Sequence, residues 1–158
     1  QRTAAGLQLL LAGENSSEVW GSFRVARRAY PLNLEIEVSG EGLQVACSHD
    51  GYHRLPGKPT HRRTWKFGPR VLDVHDVVTG SHPATARFIL HPELQVLQEA
   101  STLWRLFWPE GCSVGIEVVQ GKASMRSAYY APAFGKRLTT TALVVALADG
   151  QSAVRIIW

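Results

Sequence analysis

The residues Leu32-Asn33-Leu34-Glu35-Ile36-Glu37-Val38 alternate apolar and polar without a break. Side chains that alternate in this way point to opposite faces of an extended chain, so the run predicts a β-strand with one face buried and one wet. The same period recurs at Leu7–Ala12, Val19–Ala29, Leu43–His49, Arg63–Phe67, Val71–Val78, Ala84–Leu90, Leu103–Phe107, Val114–Val119, Ser124–Ala131, Thr139–Ala146 and Ala153–Trp158. Turn formers stand between these runs: Ser39-Gly40-Glu41-Gly42, Leu55-Pro56-Gly57, Gly68-Pro69, Thr79-Gly80-Ser81, Pro109-Glu110-Gly111, Gly121-Lys122 and Asp149-Gly150. The pattern predicts an all-β fold, an antiparallel β-sandwich of about 10–13 short strands with little or no helix. Only Pro92–Ala100 is open to a short helix, and an edge strand fits it equally well.

With 158 residues, of which 45% are hydrophobic and 19% charged, the chain is neither a disordered tail nor a coiled coil. Residues 1–158 read as a single domain, large enough to fold without a disulfide or metal staple. The uncharged apolar stretches Gly6–Gly13 and Leu138–Ala148 are too short to cross a bilayer, so no membrane span is expected. The chain opens Gln1-Arg2-Thr3 with no basic patch ahead of an apolar run, which reads as a processed or trimmed piece rather than a secretory leader. Cys47 and Cys112 lack metal-type spacing and are either two buried thiols or one long-range bridge. The five tryptophans are expected chiefly as core filler and only secondarily as sugar platforms.

The formal charge is +4, from 17 Lys and Arg against 13 Asp and Glu, densest at Arg24–Arg28 and between His53 and Arg70. Clustered cations steer towards polyanions, although scattered arginines on a solvated strand face give the same arithmetic. The window Ser48–Arg63 gathers His49, Asp50, Tyr52, His53, Arg54, Lys58, His61, Arg62 and Arg63. A His beside a Tyr can move a proton, and neighbouring cations can neutralise a uronate carboxylate, so this is the candidate for contact with an anionic substrate. The competing reading is a hairpin whose His and Arg are hydrogen-bonded across strands. No metal is expected: His49 and His53 flank a turn, Asp73 and His75 face away from Asp76, and His82 and His91 are distant, with His91 reading as structural. Nor is nucleic acid, because Arg63, Trp65 and Phe67 share a face that looks like core rather than a stacking platform. No nucleophile elbow, phosphate loop or dinucleotide fingerprint is present.

Five segments, in order along the chain, resemble the C-terminal region of heparinase II/III-like proteins. They are Gly13–Ala29, His49–Leu55, His61–Arg63, Ala86–Pro92 and Tyr130–Lys136. The resemblance implies a bacterial polysaccharide lyase that cleaves acidic glycans by β-elimination. In that family an α-helical toroid precedes the β-sandwich, and the substrate lies in the cleft between them. It further implies that a catalytic Tyr and its Asn or His partner belong to the toroid. An H-x-H-type segment with a following Asp, carrying a catalytic His and metal ligands, belongs upstream of Gln1. A family signature of the form T-x-A-H-N-T should fall at Thr3–Gln8, where Gly6 and Leu7 replace the His and the Asn. Because Gly6 has no side chain to ligate with, no metal or other cofactor is expected in this chain. The expected whole is therefore the β-sandwich of a lyase in the periplasm or cell envelope, itself inactive. Its partners are an acidic polysaccharide and the toroid, and His49, Tyr52, His53, Arg54, His61, Arg62 and Arg63 lie near the glycan. The alternative is a non-catalytic carbohydrate-binding or structural sandwich.

Overall fold

The computed structural model describes residues 7–20, 24–40 and 42–158, so the Gly6 position lies outside the described residues. The described chain forms β1 (Leu7–Leu11), β2 (Glu18–Trp20), β3 (Arg24–Arg27), β4 (Pro31–Ser39), β5 (Gly42–His49), β6 (His61–Phe67) and β7 (Val71–Val78). It continues with β8 (Ala84–Ile89), β9 (Gln95–Ala100), β10 (Leu103–Phe107), β11 (Ser113–Gln120), β12 (Lys122–Tyr130), β13 (Leu138–Ala146) and β14 (Gln151–Ile157). A four-stranded sheet, β1-β8-β13-β12, faces an eight-stranded sheet, β4-β5-β6-β7-β14-β11-β10-β9, while β2 and β3 pair alone. Every pairing is antiparallel. The chain's last strand, β14, sits inside the larger sheet between β7 and β11.

One face of each sheet supplies the shared core. Leu9 and Leu11 of β1, Phe88 of β8, and Leu143 and Val145 of β13 meet Val74, Val78, Val154, Ile116, Val118, Trp104 and Leu106 of the larger sheet. Each such large apolar side chain contributes about 1.5–3 kcal/mol on leaving water, which makes this interface the main source of stability. Tight turns set the strand spacing. At Gly121, φ is +107°, and a Cβ would lie 2.6 Å from Val145 Cγ1 and 2.8 Å from the Ala146 carbonyl oxygen. Only glycine joins β11 to β12 there.

The smaller sheet leaves one end of the larger one uncovered. No residue of β4 belongs to the core, and all nine of its positions are exposed, with Leu34 at 63%, Ile36 at 62% and Val38 at 82%. The alternating run at Leu32–Val38 is thus a strand, as its period predicts, but its apolar face is not buried. The opposite face of the larger sheet is wet and carries opposed charges. Neighbouring strands place Glu37 beside Gln44, Gln44 beside Lys66, Lys66 beside Asp73, Asp73 beside Arg155 and Arg155 beside Glu117.

Other expectations are corrected. The Val19–Ala29 run is two strands that pair with each other, Val19 opposite Val25. Of the two readings of Pro92–Ala100, the edge strand is the one found, with residues 95–100 beside β10. Trp104 is core and Trp65 packs against it, but Trp20 and Trp158 are 64% and 45% exposed. Both cysteines are free, Cys47 half-buried and Cys112 exposed, so neither the bridge nor the pair of buried thiols is found.

Candidate functional site

The window singled out in the sequence folds as the end of β5, a turn-rich loop and the start of β6. Pairing sets Cys47 opposite Arg63 and His49 opposite His61, and then Arg63 opposite Asp76 on β7. Because side chains alternate, these five share the core-side face, whereas Ser48 and Arg62 point the other way. Asp76 is 1% exposed at the centre. Its Oδ1 accepts from His61 Nε2 at 2.6 Å and from Arg63 Nε at 2.7 Å. Its Oδ2 accepts from Arg63 Nη2 at 3.0 Å and from Ser152 Oγ at 3.4 Å.

Burial alone pushes the Asp76 carboxyl up, but the hydrogen bonds from His61 and Arg63 outweigh it and hold the group below the usual carboxylate range. The ionised carboxylate then assigns the tautomers outward along a chain of rings. His61 donates its Nε2–H to Asp76, so its Nδ1 accepts from His49 Nε2 at 2.9 Å. His49 Nδ1 in turn accepts from the Gly51 backbone N–H at 3.2 Å. A proton added to His49 has no acceptor. Burial first, and the neighbouring His61 second, lower its pKa to about 4.

The remaining candidates divide between scaffold and surface. Tyr52 is fully buried, donates its hydroxyl to the Leu9 carbonyl at 2.5 Å and has its pKa raised by burial. Arg54 donates to the carbonyls of Asn15 at 2.5 Å, of Ser16 at 3.1 Å and of Gly51, clamping the segment that follows β1 onto the loop. Gly51 is required where it stands, since a Cβ would run into the Ser16 carbonyl oxygen and lie 2.7 Å from Ala29 Cβ. His53 is exposed, with Nε2 3.1 Å from Thr60 Oγ1. Arg62 reaches Glu35 at 2.6 Å on the outer face. The structure therefore brings His49, Tyr52, Arg54, His61 and Arg63 together and leaves His53 and Arg62 outside.

A cavity of about 370 Å³ opens beside this cluster, walled by Leu9, Ser16, Cys47, His49, His61 and Arg63 among others. Arg63 is balanced by Asp76, so the wall it shares with His61 is close to neutral. Both ring nitrogens of His49 and of His61 are engaged, so neither is a free base. The arrangement can shape and stiffen a groove; it does not present a poised acid–base pair. Nor does it fit a metal. Asp76 is committed to His61, Arg63 and Ser152, and no group of three or more His, Cys, Asp or Glu converges among the described residues. Asp73 pairs with Arg155, His82 bonds the Pro56 carbonyl, and His91 packs with Trp108 and Tyr130.

Ser152 is the member that reasoning along the sequence passes over, and Asp76 is weighed there only as a metal ligand. The available signal is parity: Asp76 shares a strand face with Val74 and Val78, and a carboxylate on a core face needs cationic or donor partners.

Comparison with known proteins adds the following. A family model described as "Heparinase II/III-like, C-terminal" matches residues 5–158. Among solved structures, the chain is similar to a mutant of the heparan sulfate lyase HepC from Pedobacter heparinus (TM-score 0.71) and to HepC from Pedobacter heparinus itself (TM-score 0.70). It is also similar to a heparinase III (TM-score 0.69). Each match is 12% identical and covers 95% of this chain and 23% of the other. The chain thus spans under a quarter of the length of these lyases. No curated protein matches it by sequence.

Proposed function

The chain belongs to the heparinase II/III-like C-terminal family, and on that premise we propose that it serves as the β-sandwich of a polysaccharide lyase acting on acidic, uronate-containing glycans. The family match across residues 5–158 carries this reading. In β-elimination a base takes the C5 proton of the uronate, the C4–O bond breaks, the leaving oxygen is protonated and an unsaturated uronate remains. The proton becomes acidic enough only if the adjacent carboxylate's charge is neutralised. Here Tyr52 is buried and His49 and His61 have both ring nitrogens engaged, which supports placing the base elsewhere. The role we assign is to pack beside a catalytic helical toroid and wall the substrate groove. His53, exposed on the loop, faces the glycan, Arg62 is held by Glu35 on the outer face, and His49, Tyr52, Arg54, His61 and Arg63 hold the wall in shape. We propose the periplasm or cell envelope as its location, because that is where a lyase for acidic glycans of this kind would meet its substrate.

The test is to incubate a panel of uronate polymers, heparan sulfate and alginate included, with the isolated chain and with the product of the whole reading frame that contains it. Ultraviolet absorbance of an unsaturated uronate should appear only with the latter. Absorbance from the isolated chain, or none from the whole product on any polymer, overturns the proposal.

A further inference from the structure

The wet face of the larger sheet holds a second cavity, of about 340 Å³, lined by Gln44 of β5, Thr64 and Lys66 of β6, and Asp73 and His75 of β7. Register explains the hollow. One row across the strands runs Gln44, Lys66, Asp73 and Arg155, and the next runs Ala46, Thr64, His75 and Ala153. Long side chains in the first row thus stand beside short ones in the second. Two salt bridges frame the space. Arg155 clasps Asp73 twice, Nε to Oδ1 at 2.7 Å and Nη2 to Oδ2 at 3.2 Å. Arg62 reaches Glu35 at 2.6 Å. Because β5 lies between their two strands, that bridge crosses it over Ala46 and Ser48, which are buried on this face.

The pairing of Asp73 sets the chemistry of the cavity. Asp73 stands between Lys66 and Arg155 in register, and both its oxygens go to Arg155. Lys66 therefore lines the cavity without a counterion. Unpaired cations occur elsewhere in the chain, but this one is set in a hollow among neutral donors and acceptors. Gln44 Nε2 donates to Glu37 at 3.3 Å, which keeps its amide oxygen as an acceptor. Among the described residues, none hydrogen-bonds to the Thr64 hydroxyl or the His75 ring. One uncompensated positive charge matches one negative charge, and a hydroxyl, an amide oxygen and an imidazole match alcohol groups around it. None of the five lining residues is aromatic or aliphatic, so an apolar ligand gains nothing there. Arg62 and Arg155 are both neutralised, so a nucleic-acid backbone would meet a single cation. A ring that carries several hydroxyls and one carboxylate satisfies the whole set.

We propose that this cavity binds a single hexuronate residue, its carboxylate on Lys66 and its hydroxyls on Gln44, Thr64 and His75. That such a sugar arrives as part of a glycan rests on the function proposed above; the cavity and its donors do not. The site lies on the opposite side of the sheet from Asp76, since alternate residues of β7 face opposite ways. It holds the sugar, and no proton moves there.

The test follows backbone amide shifts of the isotope-labelled chain by NMR during titration with sodium glucuronate, glucose and sodium sulfate at equal ionic strength. Glucuronate should shift the amides of Thr64, Lys66 and His75 saturably, with glucose and sulfate each about tenfold weaker. Lys66→Gln should weaken glucuronate about tenfold and Thr64→Val about threefold. Arg105→Ala, on the same wet face but outside the cavity, should change nothing. Sulfate that matches glucuronate overturns the sugar assignment, and glucose that matches it overturns the role of Lys66. Glucuronate binding unchanged in Lys66→Gln, or shifts confined to other strands, overturns the site. The lyase assay above stands apart from these results. An active whole product whose β-sandwich shows no such shifts sinks this inference alone, whereas saturable shifts without lyase activity sink the function and leave the cavity standing.

Discussion

Asp76 ties four strands together, because β5, β6, β7 and β14 all reach it directly or through one ring. Asp76→Ala leaves Arg63 charged, buried and without a counterion, and should lower the unfolding free energy by about 3–5 kcal/mol in urea titrations. A second prediction concerns acid. His49 titrates near 4 in the fold against 6.5 when unfolded, so the unfolded chain binds the extra proton between those values. Stability should be level above pH 6.5 and decline as pH falls towards 4, with the lowered Asp76 carboxyl adding to the loss in stronger acid. His49→Gln should flatten the decline across that interval in denaturant titrations at stepped pH. In the sequence, the crowding of His and Arg between Ser48 and Arg63 marks this region correctly as unusual. Parity marks Asp76 as a carboxylate on a core face, but which residues it joins is illegible there, since that depends on the β6–β7 register and no local pattern sets a register between strands.

At the scale of strands, the period of two is legible nearly to the residue. Val71–Val78 and Leu103–Phe107 are strands with the bounds the alternation predicts. What alternation reports is the chemistry of a face, not whether another sheet lies over it, and β4 shows the difference. The hairpin that presents β4 depends on Gly42, at φ +143°, where a Cβ would run into the Phe67 carbonyl oxygen of β6. Gly42→Ala should lower stability by about 1–3 kcal/mol. Hydrogen exchange should show amides of β4 and β5 losing protection ahead of those of β7 and β14.

Across the whole molecule, a larger sheet only partly roofed by a smaller one leaves Leu34, Ile36 and Val38 as an apolar strip on an unpaired edge. Such an edge promotes self-association. Ile36→Lys with Val38→Lys should lower the weight-average mass in sedimentation at high concentration, while changing stability by no more than about 0.5 kcal/mol per site. The placement of β14 has a different consequence. β14, last in chain order among the described strands, is a wedge that joins two otherwise separate blocks, β4 through β7 on one flank and β9 through β11 on the other. Neither block can pair with the other until β14 has been made, so the larger sheet closes late, through contacts between strands far apart along the chain.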